Sequence, residues 1–162
     1  MSAPSLSRPA VCIVTLIGAG CAADDVGTTE ATRVEVGVGF DRFASVDDGD
    51  TIELVFGPQG GWHVDLAARV HGVEEVEDDI ILSFRVYGAD EQLAYPIKRL
   101  VDPERGSISE EGALEYAGAQ LVFAISDPSE VVGEGCRPEV ELIIGPDVFV
   151  DDRELRVVDE LP

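Results

Sequence analysis

The chain has 162 residues, 33 of them acidic against 11 basic, giving a net charge of −22 at pH 7. That balance argues against nucleic acid and anionic lipid headgroups as partners, because both require Lys or Arg neutralisation and Lys98 is the only lysine. A hydrophobic content of 45% in a chain of this length suits one domain with a single core.

The first patterned segment is a leader. Arg8 precedes an apolar run from Ala10 to Ala19; about ten apolar residues match a signal-peptide core and fall short of the ~20 that a membrane span requires. Gly18-Ala19-Gly20-Cys21-Ala22 follows. Small residues directly before a cysteine resemble the end of a bacterial type II (lipoprotein) signal peptide, although Gly18 stands where an aliphatic residue is usual. The resemblance implies a diacylglyceryl group on the Cys21 sulfur and removal of residues 1–20. Ala22, where an aspartate would favour inner-membrane retention, points to the outer membrane. Cleavage after Ala23 by the general signal peptidase is the alternative, and it would give a soluble secreted or periplasmic protein.

Residues 21–31, from the lipid-bearing cysteine through Ala31, are polar and lack periodicity, which predicts a tether. A flexible coil of that length spans ~17 to 19 Å, so the domain would stay near the membrane, attached only through Cys21. Cys12 leaves with the leader, which makes Cys136 a lone cysteine that reads as a buried small hydrophobe. Without lipidation, a Cys21 to Cys136 bridge becomes open.

Residues 32–162 are written in period two, the mark of half-buried strands. Arg33 to Phe40 places Val34, Val36, Val38 and Phe40 on one face. Thr51 to Phe56 follows the turn Asp47-Asp48-Gly49-Asp50. Trp62 to Val70 alternates Trp62, Val64, Leu66, Ala68 and Val70, predicted to face the core, against His63, Asp65, Ala67, Arg69 and His71. Further strands are expected at Ile80–Tyr87, Gln92–Val101, Ala119–Ser126, Glu139–Ile144 and within Arg153–Val158, separated by Gly, Pro and Asp turns. Glu74 to Asp79 reads as a solvated acidic loop. Ser107 to Tyr116 holds at most one helical turn, because Gly112 interrupts it. The pattern predicts an all-β chain: an antiparallel β-sandwich of immunoglobulin-like or fibronectin-like type with seven to nine strands, a closed barrel being the alternative.

Gly57-Pro58-Gln59-Gly60-Gly61-Trp62-His63, with the preceding Asp48-Gly49-Asp50, resembles a segment of uncharacterised lipoproteins of myxobacteria and their relatives. The resemblance implies an exported location and no particular chemistry. Physically, the glycines permit a tight strand-to-strand crossing, with Trp62 anchoring the core and Gln59 and His63 pointing to loop or solvent. A ligand-gripping loop is the competing reading.

No cofactor or metal is expected. His63 and His71 share a face but would stand ~27 Å apart on one extended strand, too far for a common ion. Asp47, Asp48 and Asp50 offer hard oxygen ligands, but the distal bidentate Glu of a calcium loop is missing, so a plain acidic turn is the expectation. The sequence holds no G-x-S-x-G, H-E-x-x-H, P-loop or strand-linked G-x-G-x-x-G motif. A Cys136 and His63 nucleophilic pair is disfavoured. The expected role is therefore binding, adhesion or envelope structure without catalysis, towards a protein or glycan partner. Alternatives are a calcium-dependent adhesin-like module or a hydrolase with dispersed active-site residues.

Overall fold

A computed structural model describes residues 30–58, 60–73, 79–89, 91–101 and 106–159. The leader, Cys21 and the tether as far as residue 29 lie outside the described residues, as do Gln59, the acidic run 74–78, Asp90 and Asp102-Pro103. Twelve strands are described: β1 (Arg33–Val38), β2 (Ala44–Ser45), β3 (Thr51–Glu53), β4 (Val55–Phe56), β5 (Trp62–His71), β6 (Ile80–Tyr87), β7 (Ile97–Leu100), β8 (Ser107–Ile108), β9 (Leu114–Val122), β10 (Gly135–Ile144), β11 (Asp147–Asp152) and β12 (Leu155–Val158). A short 3-10 turn at Pro128–Glu130 is capped by the Asp127 side chain.

These strands build two packed sheets, which makes the described chain all-β and sandwich-like. The first has the order β2-β1-β5-β9-β8, with β4 also paired to β5; the second has the order β3-β12-β10-β6-β7, with β11 also paired to β10. Pairing is antiparallel except for the parallel β3 and β12. The inner faces interdigitate as period two dictates. Val34, Val36, Val64, Leu66, Val70 and Leu121 come from the first sheet, and Leu82, Phe84, Val86, Val140, Leu142 and Val157 from the second. Each such side chain contributes roughly 1.5–3 kcal/mol on burial.

The expected strand Thr51 to Phe56 is divided, because its two halves belong to different sheets. Arg156 to Val158 pair with Thr51 to Glu53, and the Leu54 N–H still donates to the Val158 carbonyl (2.7 Å), whereas Val55 pairs with His63 across the gap. Leu54, at the crossing, is almost fully buried. Phe40, which alternation puts on one face with Val34, Val36 and Val38, is 59% exposed, whereas Val34 and Val36 are buried. Gly39 adopts φ +132° and turns the chain after Val38, which takes Phe40 off the strand. Ser107 to Tyr116 is not helical: β8 and the start of β9 occupy it and pair with each other. Expected strands also end differently, since Gln92–Val101 contracts to β7 and Ala119–Ser126 moves back to β9, while β11 was not foreseen.

Between the pairs Leu66–Ala119 and Ala68–Tyr116 the register shifts, β9 holding one residue more than β5. Gly118 takes up the extra length at φ +75°, where a Cβ would come within 2.8 Å of the Phe40 carbonyl oxygen.

At the opposite margin β1 and β11 approach one another, and the sheets are joined by a side chain. The Val36 N–H, on an almost fully buried residue, donates to Asp151 Oδ2 (2.8 Å), while Arg153 Nη1 holds Asp151 Oδ1 (2.5 Å). Asp151→Ala should leave that N–H without a partner and the guanidinium without its carboxylate. Urea unfolding should show a loss of about 1–3 kcal/mol, and Asp151→Asn should recover part of it.

Candidate functional site

The turn Asp47 to Asp50 is already committed to backbone. Asp48 Oδ1 accepts the Glu154 N–H (2.8 Å) and Asp50 Oδ2 accepts the Asp47 N–H (2.8 Å), while the Gly49 N–H donates to the Glu154 carbonyl (2.7 Å). These bonds tie the turn to the β11–β12 connection and line up the parallel β3–β12 pair. Two of the three carboxylates thus serve as backbone acceptors. Among the described residues no group of three or more His, Cys, Asp or Glu is placed to hold a metal. Excess EDTA or millimolar Ca²⁺ should leave the melting temperature unchanged, whereas Asp48→Ala should lower stability by about 1 kcal/mol through the lost bond to Glu154.

The Gly-rich segment closes the β4–β5 hairpin. The Gly57 N–H donates to the Gly61 carbonyl (2.9 Å), and Gly60 and Gly61 hold φ +82° and +100°. Trp62 pairs with Phe56 across the hairpin, ring centroids 5.0 Å apart, and its carbonyl accepts the Phe123 N–H (2.8 Å). It is half-buried at the margin of the core rather than its anchor. Gln59 lies outside the described residues.

His63 and His71 do occupy the face of β5 that points away from the core, and both are buried; of the two expectations for His63, loop or solvent, the loop is the one that applies. Local cover explains it. His63 lies under the hairpin at Gly57, with Nε2 3.1 Å from the Gln120 amide nitrogen and 3.8 Å from Asp65. His71 lies between two carboxylates, Nδ1 3.3 Å from Glu30 and Nε2 3.1 Å from Glu35. Glu30 also bonds Arg33, whose guanidinium holds the Glu30 carboxyl below the usual range. Arg69 continues the chain of charges, bonding Glu115 at 2.7 Å and stacking 4.3 Å over the Phe43 ring. Phe43 covers Gly37, the cross-strand partner of Ala67, and Ala67 is fully buried as well. Glu30, Glu35, Arg69, Glu115 and Phe43 were missed as a group; alternation of Arg33 and Glu35 opposite Arg69 and His71 was the available signal.

Cys136 is buried as expected and lies at the end of β10. Burial first, and the Glu154 charge second, push its thiol from the usual 9.0 up to about 12. It borders a cavity of about 680 Å³ whose rim carries Glu91, Glu130, Glu134 and Glu154 beside Arg137. A second cleft, of about 590 Å³, opens between β7 and β9, with Phe84 and Tyr116 among its walls and Lys98 and Arg99 beside them. Cys136 belongs to one sheet and His63 to the outward face of the other, so the core separates that suggested pair. A scan against protein-family models and a search of curated proteins each found no match to the chain.

The Cys136 environment sets a pH dependence. The folded state holds the thiol proton more tightly than the unfolded state, so this contribution to stability is intact below pH 9.0 and is lost as pH rises towards 12. By pH 10 the loss should be about 1.4 kcal/mol. Denaturant unfolding at pH 8 and pH 10 measures it, and Cys136→Ala should remove that part of the difference. Native Cys136 should also resist iodoacetamide until urea unfolds the chain.

Proposed function

We propose that the chain is an exported lipoprotein, held at the outer membrane by acyl chains on Cys21, whose immunoglobulin-like or fibronectin-like sandwich serves binding, adhesion or envelope structure without catalysis. The observation that carries the reading is the small-residue run Gly18 to Gly20 directly before Cys21, followed by a polar stretch and then by strands. Two acyl chains hold a protein at a bilayer far better than one, so no second anchor is required.

The absence of catalysis is supported by where the reactive side chains stand. Each described histidine is buried against polar neighbours that orient it, and the Cys136 thiol, with its proton bound at neutral pH, is a poor nucleophile. Binding would then be carried by the outer faces and loops, which the sandwich displays on a fixed frame. The commitment of Asp48 and Asp50 to backbone donors counts against the calcium-dependent version.

Labelled palmitate incorporation in a bacterial host tests the anchor. The native chain should take up label and lose residues 1–20, whereas Cys21→Ser should remain unlabelled and unprocessed. Equal labelling of both, or a mature N-terminus at Asp24, would overturn the lipoprotein reading.

A further inference from the structure

The cleft between β7 and β9 lies at a margin that the strand order leaves open. Among the described strands β7 ends its sheet and pairs only with β6, while β8 covers β9 only at Leu114 and Glu115. The β9 wall is Ala117, Gly118 and Ala119, which carry nothing beyond a Cβ. They leave a space of about 590 Å³, within the range of about 300–1,000 Å³ usual for small-ligand clefts. Register decides which side chains enter it. Arg99 pairs with Leu82 and Tyr116 with Ala68, both fully buried core residues, and directly opposed residues of a ladder point the same way. Arg99 and Tyr116 are therefore directed between the sheets, where the almost fully buried Phe84 completes the lining. Lys98, opposite Ser83, belongs instead to the outer face, where Arg85 is already bonded to Glu139 and Glu141.

Arg99 is a charge that the fold leaves unanswered. Arg33, Arg69, Arg85, Arg137 and Arg153 are each held by a carboxylate, whereas Arg99 has no such partner among the described residues, and none of the residues lining the cleft is acidic. Arg42 and Arg156 also lack a carboxylate, but neither lines this cleft or the cavity beside Cys136. We propose that the cleft binds a small apolar carboxylate, its aryl body against the Tyr116 and Phe84 rings and its two oxygens on the Arg99 guanidinium. A guanidinium receives a carboxylate as a bidentate fork, and an aryl body gains edge or offset contact with the two rings. The net charge of −22 does not forbid an anion there, because at physiological salt charges beyond about 8 Å are largely screened and Arg99 sets the near field. Four glutamates on the rim of the other cavity repel the same ligand. The site goes beyond the binding-module reading, which places recognition on outer faces and loops, and it does not depend on the anchor at Cys21.

The probe is 2-naphthoate, compared with its neutral counterpart 2-naphthylmethanol by equilibrium dialysis at an ionic strength of about 0.15 M. The host is the full chain carrying Cys21→Ser, so that no acyl chain takes up the probe; uptake by the N-terminal apolar run is common to every variant and shows equally with the alcohol. Naphthoate should bind about tenfold tighter than the alcohol. Acetate, which lacks the apolar body, should not displace it. Arg99→Gln should bring naphthoate down to the level of the alcohol, Arg99→Lys should keep part of the difference, and Arg156→Gln should change nothing. Arg99 is exposed, so circular-dichroism melting of both Arg99 variants should match that of the parent chain. Equal binding of acid and alcohol, or unchanged naphthoate binding by Arg99→Gln, would overturn the proposal. So would an equal loss in Arg99→Gln and Arg156→Gln, since the effect would then belong to the charge of the whole chain and not to the cleft. Palmitate labelling at Cys21 is a separate readout, so failure of the anchor reading and failure of the cleft are told apart.

Discussion

The architecture turns on a single missing hydrogen-bond donor. Along one side β10 pairs with β6 from Arg137 to Ile144, but along the other it serves two partners, β12 at Gly135 and Cys136 and β11 from Glu139 to Ile144. Pro138 stands between those stretches. Its carbonyl, facing that side, accepts the Arg153 N–H (3.2 Å), and its ring supplies no N–H where the ladder changes hands. Because β10 is released there, β11 can lean towards β1 and place Asp151 on the Val36 N–H, while β12 stays in the sheet beside β3. The closure of one margin and the placement of the Asp47 to Asp50 turn both follow from that division.

Polar groups on the first sheet illustrate how burial arises without a second core. Gly37 leaves room for Phe43, Phe43 lies beneath Arg69, and Arg69 is held by Glu115 on the neighbouring strand. Each contact depends on the cross-strand register, and a one-residue slip would reverse all of them. A layer of ion pairs over a sheet contributes little stability per pair, and it buries both histidines in surroundings that fix their orientation.

The long strands were legible because alternation of Val, Leu and Ile against polar residues leaves few other options, as at Trp62–His71 and Ile80–Tyr87. What stayed hidden depended on distant partners. The expected strand Glu139–Ile144 starts just after Pro138, whereas β10 runs through it; proline is disfavoured in a central strand, and the change of partner at that residue makes it tolerable. Leu54 sits between Glu53 and Val55 in a run without Gly or Pro, so nothing local reveals that the chain changes sheets there. Asp147 to Asp152 was not read as a strand, because acids at both ends leave only Val148-Phe149-Val150 between them, and one of those acids, Asp151, is directed inward to the other sheet. The two histidines were assigned to the correct face, but their cover comes from Glu30 and from the hairpin at Gly57, which period two does not encode. Cys136 was legible as a buried thiol; the acidic rim above it is assembled from three separate segments.

The position of β12 in its sheet has a consequence for how the chain can be made. It is the last of the described strands, yet it lies between β3 and β10, and its parallel partner β3 was synthesised about a hundred residues earlier. That sheet therefore cannot be completed on a nascent chain before residue 158 has emerged, and pairings so distant in sequence form slowly, on the scale of milliseconds to seconds. A polypeptide whose described fold waits for its last strand stays open along its length until synthesis has passed that strand.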